Sequence, residues 1–148
     1  MTLENKINDD IRAAMLNKEH DKLEALRAVK AAILLEKTKG SAHELDEQAS
    51  MQLIQRLVKQ RKESAEIYQA QNRKDLADVE LFQAKIIASY LPEQMTEEQL
   101  KHEIRSIISE TGATGLKDLG KVMGMATKKL AGKAENKVIA AVVRELLG

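Results

Sequence analysis

Tyr90-Leu-Pro-Glu-Gln-Met-Thr-Glu-Glu-Gln-Leu100 ends one helical run and begins another. Pro92 is the only proline in the chain of 148 residues, and a proline pushes the residue before it out of the helical region. Thr96 follows, with Gln99 three residues on. In that spacing a hydroxyl accepts from the first turn and a glutamine returns the bond, which marks a helix start. The stretch therefore predicts a boundary at Leu91 to Met95. It separates an N-terminal helical domain over residues 1–91 from a C-terminal helical domain over residues 96–148.

Outward from that boundary, apolar spacing at three and four residues recurs and strand-like alternation is absent. Leu3, Ile7, Ile11 and Met15 mark a first helix, with a break near Lys18 to Asp21. Leu23, Leu26, Val29, Ile33 and Leu34 mark a second, ending near Gly40, and Ser41 to Asp46 is a polar connection. Leu53, Ile54, Leu57, Val58, Ala65 and Tyr68 mark a third. Asn72, with Asp75 in the first turn, is placed to start a fourth helix carrying Leu76, Val79, Phe82, Ile86, Ile87 and Tyr90. Beyond the boundary, Leu100, Ile104, Ile107 and Ile108 mark a fifth helix, stopped by Gly112. A sixth spans about Leu116 to Ala131. After Gly132-Lys133-Ala134 a seventh runs from about Asn136, with Ile139, Val142, Val143 and Leu146 inward. The expected class is all-α: a four-helix N-terminal unit followed by a compact three-helix C-terminal unit.

A chain of this length buries enough surface to fold without a metal or a disulfide. It contains no cysteine, which excludes disulfides, thiolate zinc sites and a cysteine nucleophile, and suits a cytoplasmic location. Met1-Thr-Leu-Glu-Asn5 lacks a basic segment followed by an apolar run, so no signal peptide is expected. The longest apolar runs, Ala31 to Leu35 and Val138 to Val143, are far too short to span a bilayer.

Net charge is +1, but its distribution is uneven. The first 92 residues carry fifteen cations and fifteen carboxylates, whereas from Gly112 onward cations outnumber carboxylates seven to three. On the sixth helix Leu119, Val122, Met123, Ala126 and Leu130 form one face. Lys117, Lys121 and Lys128 fall on the other, beside Gly120, Gly124 and Thr127. A glycine inside a helix costs about 1 kcal/mol relative to alanine. Two within five residues suit the close approach of a backbone, and flanking lysines suit a sugar–phosphate one. With Lys129, Lys133 and Lys137 they make a candidate RNA-binding set. A solvated amphipathic helix, with glycines that admit a neighbouring helix of the same domain, fits the same pattern. Only Tyr68, Phe82 and Tyr90 are aromatic, so a base-stacking platform is lacking and a folded RNA contacted through phosphate and ribose is the better match.

Arg27 and Lys30 on the second helix, Arg61 on the third and Glu80 on the fourth project toward apolar arcs. An ion pair of Arg27 or Arg61 with Glu80 is expected, a basic groove being the alternative. Parts for catalysis are missing. His20, His43 and His102 are dispersed, no Glu-x-x-His or His-Glu-x-x-His occurs, and neither phosphate-loop pattern nor Gly-x-Ser-x-Gly appears. No catalytic residue, metal, cofactor or small-molecule substrate is expected.

Lys59-Gln-Arg-Lys-Glu-Ser64, Asn72-Arg-Lys-Asp-Leu76, Tyr90-Leu-Pro-Glu-Gln94, Gly120-Lys-Val-Met-Gly124 and Gly132-Lys-Ala134 occur in this order. Together they resemble the YqeY-like family over essentially the whole chain. The C-terminal part also resembles the tail domain of the B subunit of the glutamine-dependent aspartyl/glutamyl-tRNA amidotransferase, and an appendage of some glutaminyl-tRNA synthetases. The resemblance implies a non-catalytic helical tail that contacts the tRNA body and assists a catalytic domain elsewhere. An amidotransferase or an aminoacyl-tRNA synthetase is the implied companion. The family label of carbon–nitrogen ligase with glutamine as donor is implied by resemblance only. Where the family continues Asp-Gly after Gly132-Lys-Ala134, this chain has Glu135-Asn136; asparagine tolerates turn conformations and can cap a helix, which is compatible with a hinge there, but not with any role that needs glycine itself. A protein–protein adaptor without RNA contact is the alternative.

Overall fold

Helix ends in this chain are set by local hydrogen bonds. The structure, a computed structural model, describes residues 2–39 and 44–148. The Thr2 hydroxyl accepts from Asn5 N–H at 3.1 Å and opens α1 (Leu3–Leu16). Lys18, with φ 57°, takes the left-handed turn into α2 (His20–Lys37). Asp46 accepts from Ala49 N–H at 2.7 Å and opens α3 (Glu47–Ala70). Asn72 does not start α4 (Lys74–Ala88) as the sequence suggested. It sits one residue past the α3 cap with φ 60°, a conformation asparagine tolerates, and Arg73 holds the N-cap position. The connection read at Ser41 to Asp46 lies partly outside the described residues, as does His43.

The boundary stretch behaves as its chemistry dictates. Thr96 and Gln99 form a reciprocal capping box, with bonds of 3.2 and 3.0 Å, at the start of α5 (Glu97–Thr111). Gly112 ends α5 in the left-handed conformation, φ 69°. A 3₁₀ turn, Leu116–Asp118, precedes α6 (Leu119–Lys129), so the first turn of the lysine helix is tighter than expected. α7 (Asn136–Leu147) closes the chain. All regular structure among the described residues is helical.

The chain divides into units Met1–Leu91 and Pro92–Gly148. Ile7, Leu26, Val29, Ile33, Leu53, Ile54 and Ile87 bury the core of the first. Leu100, Ile104, Ile107, Val122, Leu130, Ile139 and Val143 bury that of the second. Each such side chain contributes roughly 1.5–3 kcal/mol when fully buried. Several bulky residues assigned to packed faces instead face solvent: Met15, Leu34, Val79 and Phe82 are 42–54% exposed. On α4 the buried positions are Ala77, Ala84 and Ile87. Small residues let α4 lie close along α3, and the bulkier neighbours are turned outward.

Two polar ties hold α1. Lys37 Nζ reaches Glu4 at 2.8 Å and Glu44 at 3.2 Å, and these bonds hold its ammonium above the ordinary lysine range. The Tyr90 hydroxyl, just past α4, donates to the Asp10 carboxylate, while Lys6 Nζ lies 5.3 Å from the Tyr90 ring centre. Burial, then the Asp10 bond, pushes the Tyr90 hydroxyl well above the usual phenol range. A folded-state value raised above the unfolded one keeps its full stabilisation below about pH 10 and loses it as pH rises further. Chemical denaturation of wild type and Tyr90→Phe from about pH 9 to about pH 11 should therefore show the stability gap shrinking with pH. Thr96→Ala should cost about 1 kcal/mol in the same assay, from loss of the capping box.

Candidate nucleic-acid interface

α6 is amphipathic because its apolar residues recur on one side. Val122, Ala126 and Leu130 are buried, and Leu119 and Met123 pack partly against them. This places Gly120, Lys121, Gly124 and Lys128 on the exposed side. A Cβ added at Gly120 or Gly124 would meet nothing within 4 Å. Among the described residues of the C-terminal unit, no neighbouring helix packs against the two glycines.

The lysines are little neutralised. Lys121 Nζ lies 3.5 Å from Thr111 O, at the carbonyl end of α5, where a cation is favoured. Lys129 Nζ is 3.8 Å from Glu110, an exposed pair worth little in water. Lys117 and Lys128 are exposed and form no ion pair among the described residues. Asp118, the one carboxylate in the 3₁₀ turn, is engaged locally. It accepts from Thr114 N–H at 2.9 Å, and that bond, helped by Lys117 and Lys121, holds its carboxyl below the usual range. Thr127 Oγ1 donates to Met123 O at 2.8 Å within its own helix.

Lys133 and Lys137 stand apart from that stripe. Gly132 is buried with φ 77°, and the turn it makes is bound on both carbonyls. Gln94 Nε2 donates to Gly132 O at 2.7 Å and to Pro92 O at 3.0 Å, and Met95 N–H donates to Lys133 O at 2.9 Å. Two sequence strings 38 residues apart, Tyr90-Leu-Pro-Glu-Gln94 and Gly132-Lys-Ala134, thus meet directly. No periodic signal in the sequence marks Gln94 for this contact, because it is a polar residue in the irregular stretch after a proline. Asn136 does not cap α7. Glu135 occupies the N-cap without a side-chain bond, and Asn136 is the first helical residue.

The expected ion pair with Glu80 is not formed. Arg61 Nε instead donates to the Gln83 amide oxygen at 3.4 Å, and Arg27 is exposed, where its charge needs no partner. Among the described residues no three His, Asp or Glu converge on a common metal position, and no helix is long and apolar enough to cross a membrane.

Because a Cβ has free space at both glycines, Gly120→Ala and Gly124→Ala should each raise stability by about 0.5–1 kcal/mol. Urea denaturation measures this; a loss of stability would mean that the glycines serve the fold.

A family model described as Yqey-like protein matches residues 4–147. The chain is similar to "Altered inheritance of mitochondria protein 41, mitochondrial" of Meyerozyma guilliermondii, with 32% identity over 127 residues. That match covers 82% of this chain and 65% of the relative, so the chain spans just under two thirds of that protein's length. It is also 25% identical over 146 residues to the protein of the same name from Pyrenophora tritici-repentis, covering 97% of this chain and 80% of that one.

Proposed function

This chain belongs to the YqeY-like family, and from that premise we propose that it is a non-catalytic accessory module that binds tRNA through the outer face of α6. The observation that carries the reading is the open glycine–lysine surface. Gly120 and Gly124 are exposed with free space above them, and Lys117, Lys121 and Lys128 lie alongside. A helix bearing two unneeded glycines forgoes roughly 1–2 kcal/mol of stability. Close approach of a ribose–phosphate backbone, with ammonium groups at phosphate reach, is a return for that loss. With so few aromatic rings, shape and charge rather than base stacking would set recognition. The two units would then divide the work: residues 1–91 as a supporting domain and residues 96–148 as the tail that meets the RNA.

The likeness of the C-terminal part to an amidotransferase tail makes such an enzyme, or an aminoacyl-tRNA synthetase, the proposed companion. The catalytic groups would belong to that companion. We place the protein in the cytoplasm, although the names of the two relatives put those proteins in mitochondria.

Gel shifts with bulk tRNA at several salt concentrations test the reading. Affinity should fall with salt at a log–log slope of roughly 0.7–0.9 per phosphate contact. Lys121→Ala with Lys128→Ala should weaken binding about tenfold, reduce that slope by about two and leave the thermal midpoint unchanged. Gly120→Ala with Gly124→Ala should weaken binding while raising stability. A salt-independent retention, or none, would overturn the proposal.

A further inference from the structure

A second surface of the C-terminal unit has the opposite charge. Two adjoining grooves flank the crossing of Gln94-Met95 with Gly132-Lys133, and both are lined by Gln94, Met95 and Lys133. The larger, about 750 Å³, is lined by the apolar side chains of Met95, Leu100, Val138, Ala141 and Val142. The other, about 540 Å³, runs past Pro92, Glu98 and His102. Six carboxylates line the pair, from Glu93, Glu97, Glu98, Glu103, Glu135 and Glu145, against the ammonium groups of Lys133 and Lys137. Lys101, 3.4 Å from Glu97 and 3.5 Å from Glu145, offsets one more charge and leaves the surface net acidic. Val138 is 45% exposed on a helix whose Ile139, Val142 and Val143 are buried. None of Lys117, Lys121, Lys128 and Lys129 lines either groove.

Carboxylates at this density repel phosphate, so the channel is a poor seat for RNA. An apolar strip between carboxylates matches a helix with leucine-like side chains on one face and cations along its flanks. We infer that this channel docks a basic amphipathic helix of a protein partner. The cationic face of α6 and the acidic channel would then serve two different macromolecules. The inference does not rest on RNA binding, since it uses other residues and the opposite charge.

Fluorescence anisotropy with the full-length chain tests it. One probe is a labelled 14-residue helical peptide of leucine and lysine, with leucine on one face. The second is the same peptide with glutamate for lysine. The lysine peptide should bind saturably, at least about tenfold more tightly than the glutamate peptide. Val138→Glu with Ala141→Glu places charge on two solvent-facing positions and should weaken lysine-peptide binding at least about tenfold, with helicity and thermal midpoint retained. Attraction by bulk charge alone would instead strengthen binding to that variant, and this result would overturn the inference. So would equal binding of the two peptides, or binding of neither. If the double variant loses tRNA retention and keeps the peptide, the channel belongs to RNA and the inference falls. Lys121→Ala with Lys128→Ala should leave peptide affinity unchanged, which separates failure here from failure of the RNA reading.

Discussion

The carbonyls of Gly132 and Lys133 are held from outside their own turn, by the Gln94 amide and the Met95 N–H. A turn between two short helices would otherwise leave these acceptors to water, and the helices free to splay. Bound as they are, they hold the turn between α6 and α7 in place. They also bind the segment after Pro92 to the C-terminal unit rather than leaving it as a loose linker. The two grooves of that unit run along this crossing, whereas the cationic outer side of α6 follows from the packing of its apolar face.

Charge in the C-terminal unit is segregated. Carboxylates gather on α5, with Glu135 and Glu145 before and near the end of α7, and lysines gather on α6. Few of the lysines are cancelled by close partners, and those that are paired sit in water, where pairing adds little. The N-terminal unit carries more close pairs. Its Lys37, Arg56 and Arg73 are each bonded to carboxylates, and these bonds hold Glu36 and Asp75 below the usual carboxylate range.

Helix identity was legible in the chain because capping and packing act over three or four residues. Thr96, Gln99 and Gly112 behave as their spacing indicates, and the buried face of α6 is the one its apolar residues define. Rotation of a helix about its axis was less legible. On α4 the large residues Val79 and Phe82 marked one face, but Ala77 and Ala84 are the ones buried, since close helix approach rewards small side chains. Asn72 marks a helix start in the sequence, and Asn136 is a residue type that can cap one. Asn72 takes the left-handed conformation past α3, Arg73 holding the α4 N-cap, and Asn136 is the first helical residue of α7, Glu135 holding its N-cap.

Sequence alone determined the all-α class, the break at Pro92, the start and stop of α5, and the lysine–glycine periodicity, because each depends on spacing along one segment. Tertiary structure decided that Gly120 and Gly124 face open space, that Arg27 and Arg61 leave Glu80 unpaired, and that Gln94 meets Gly132. It also brought carboxylates from α5 and α7 together around one apolar strip. Those outcomes depend on distances between segments remote in the chain. Such distances are set by the packing of whole faces, which no local pattern encodes.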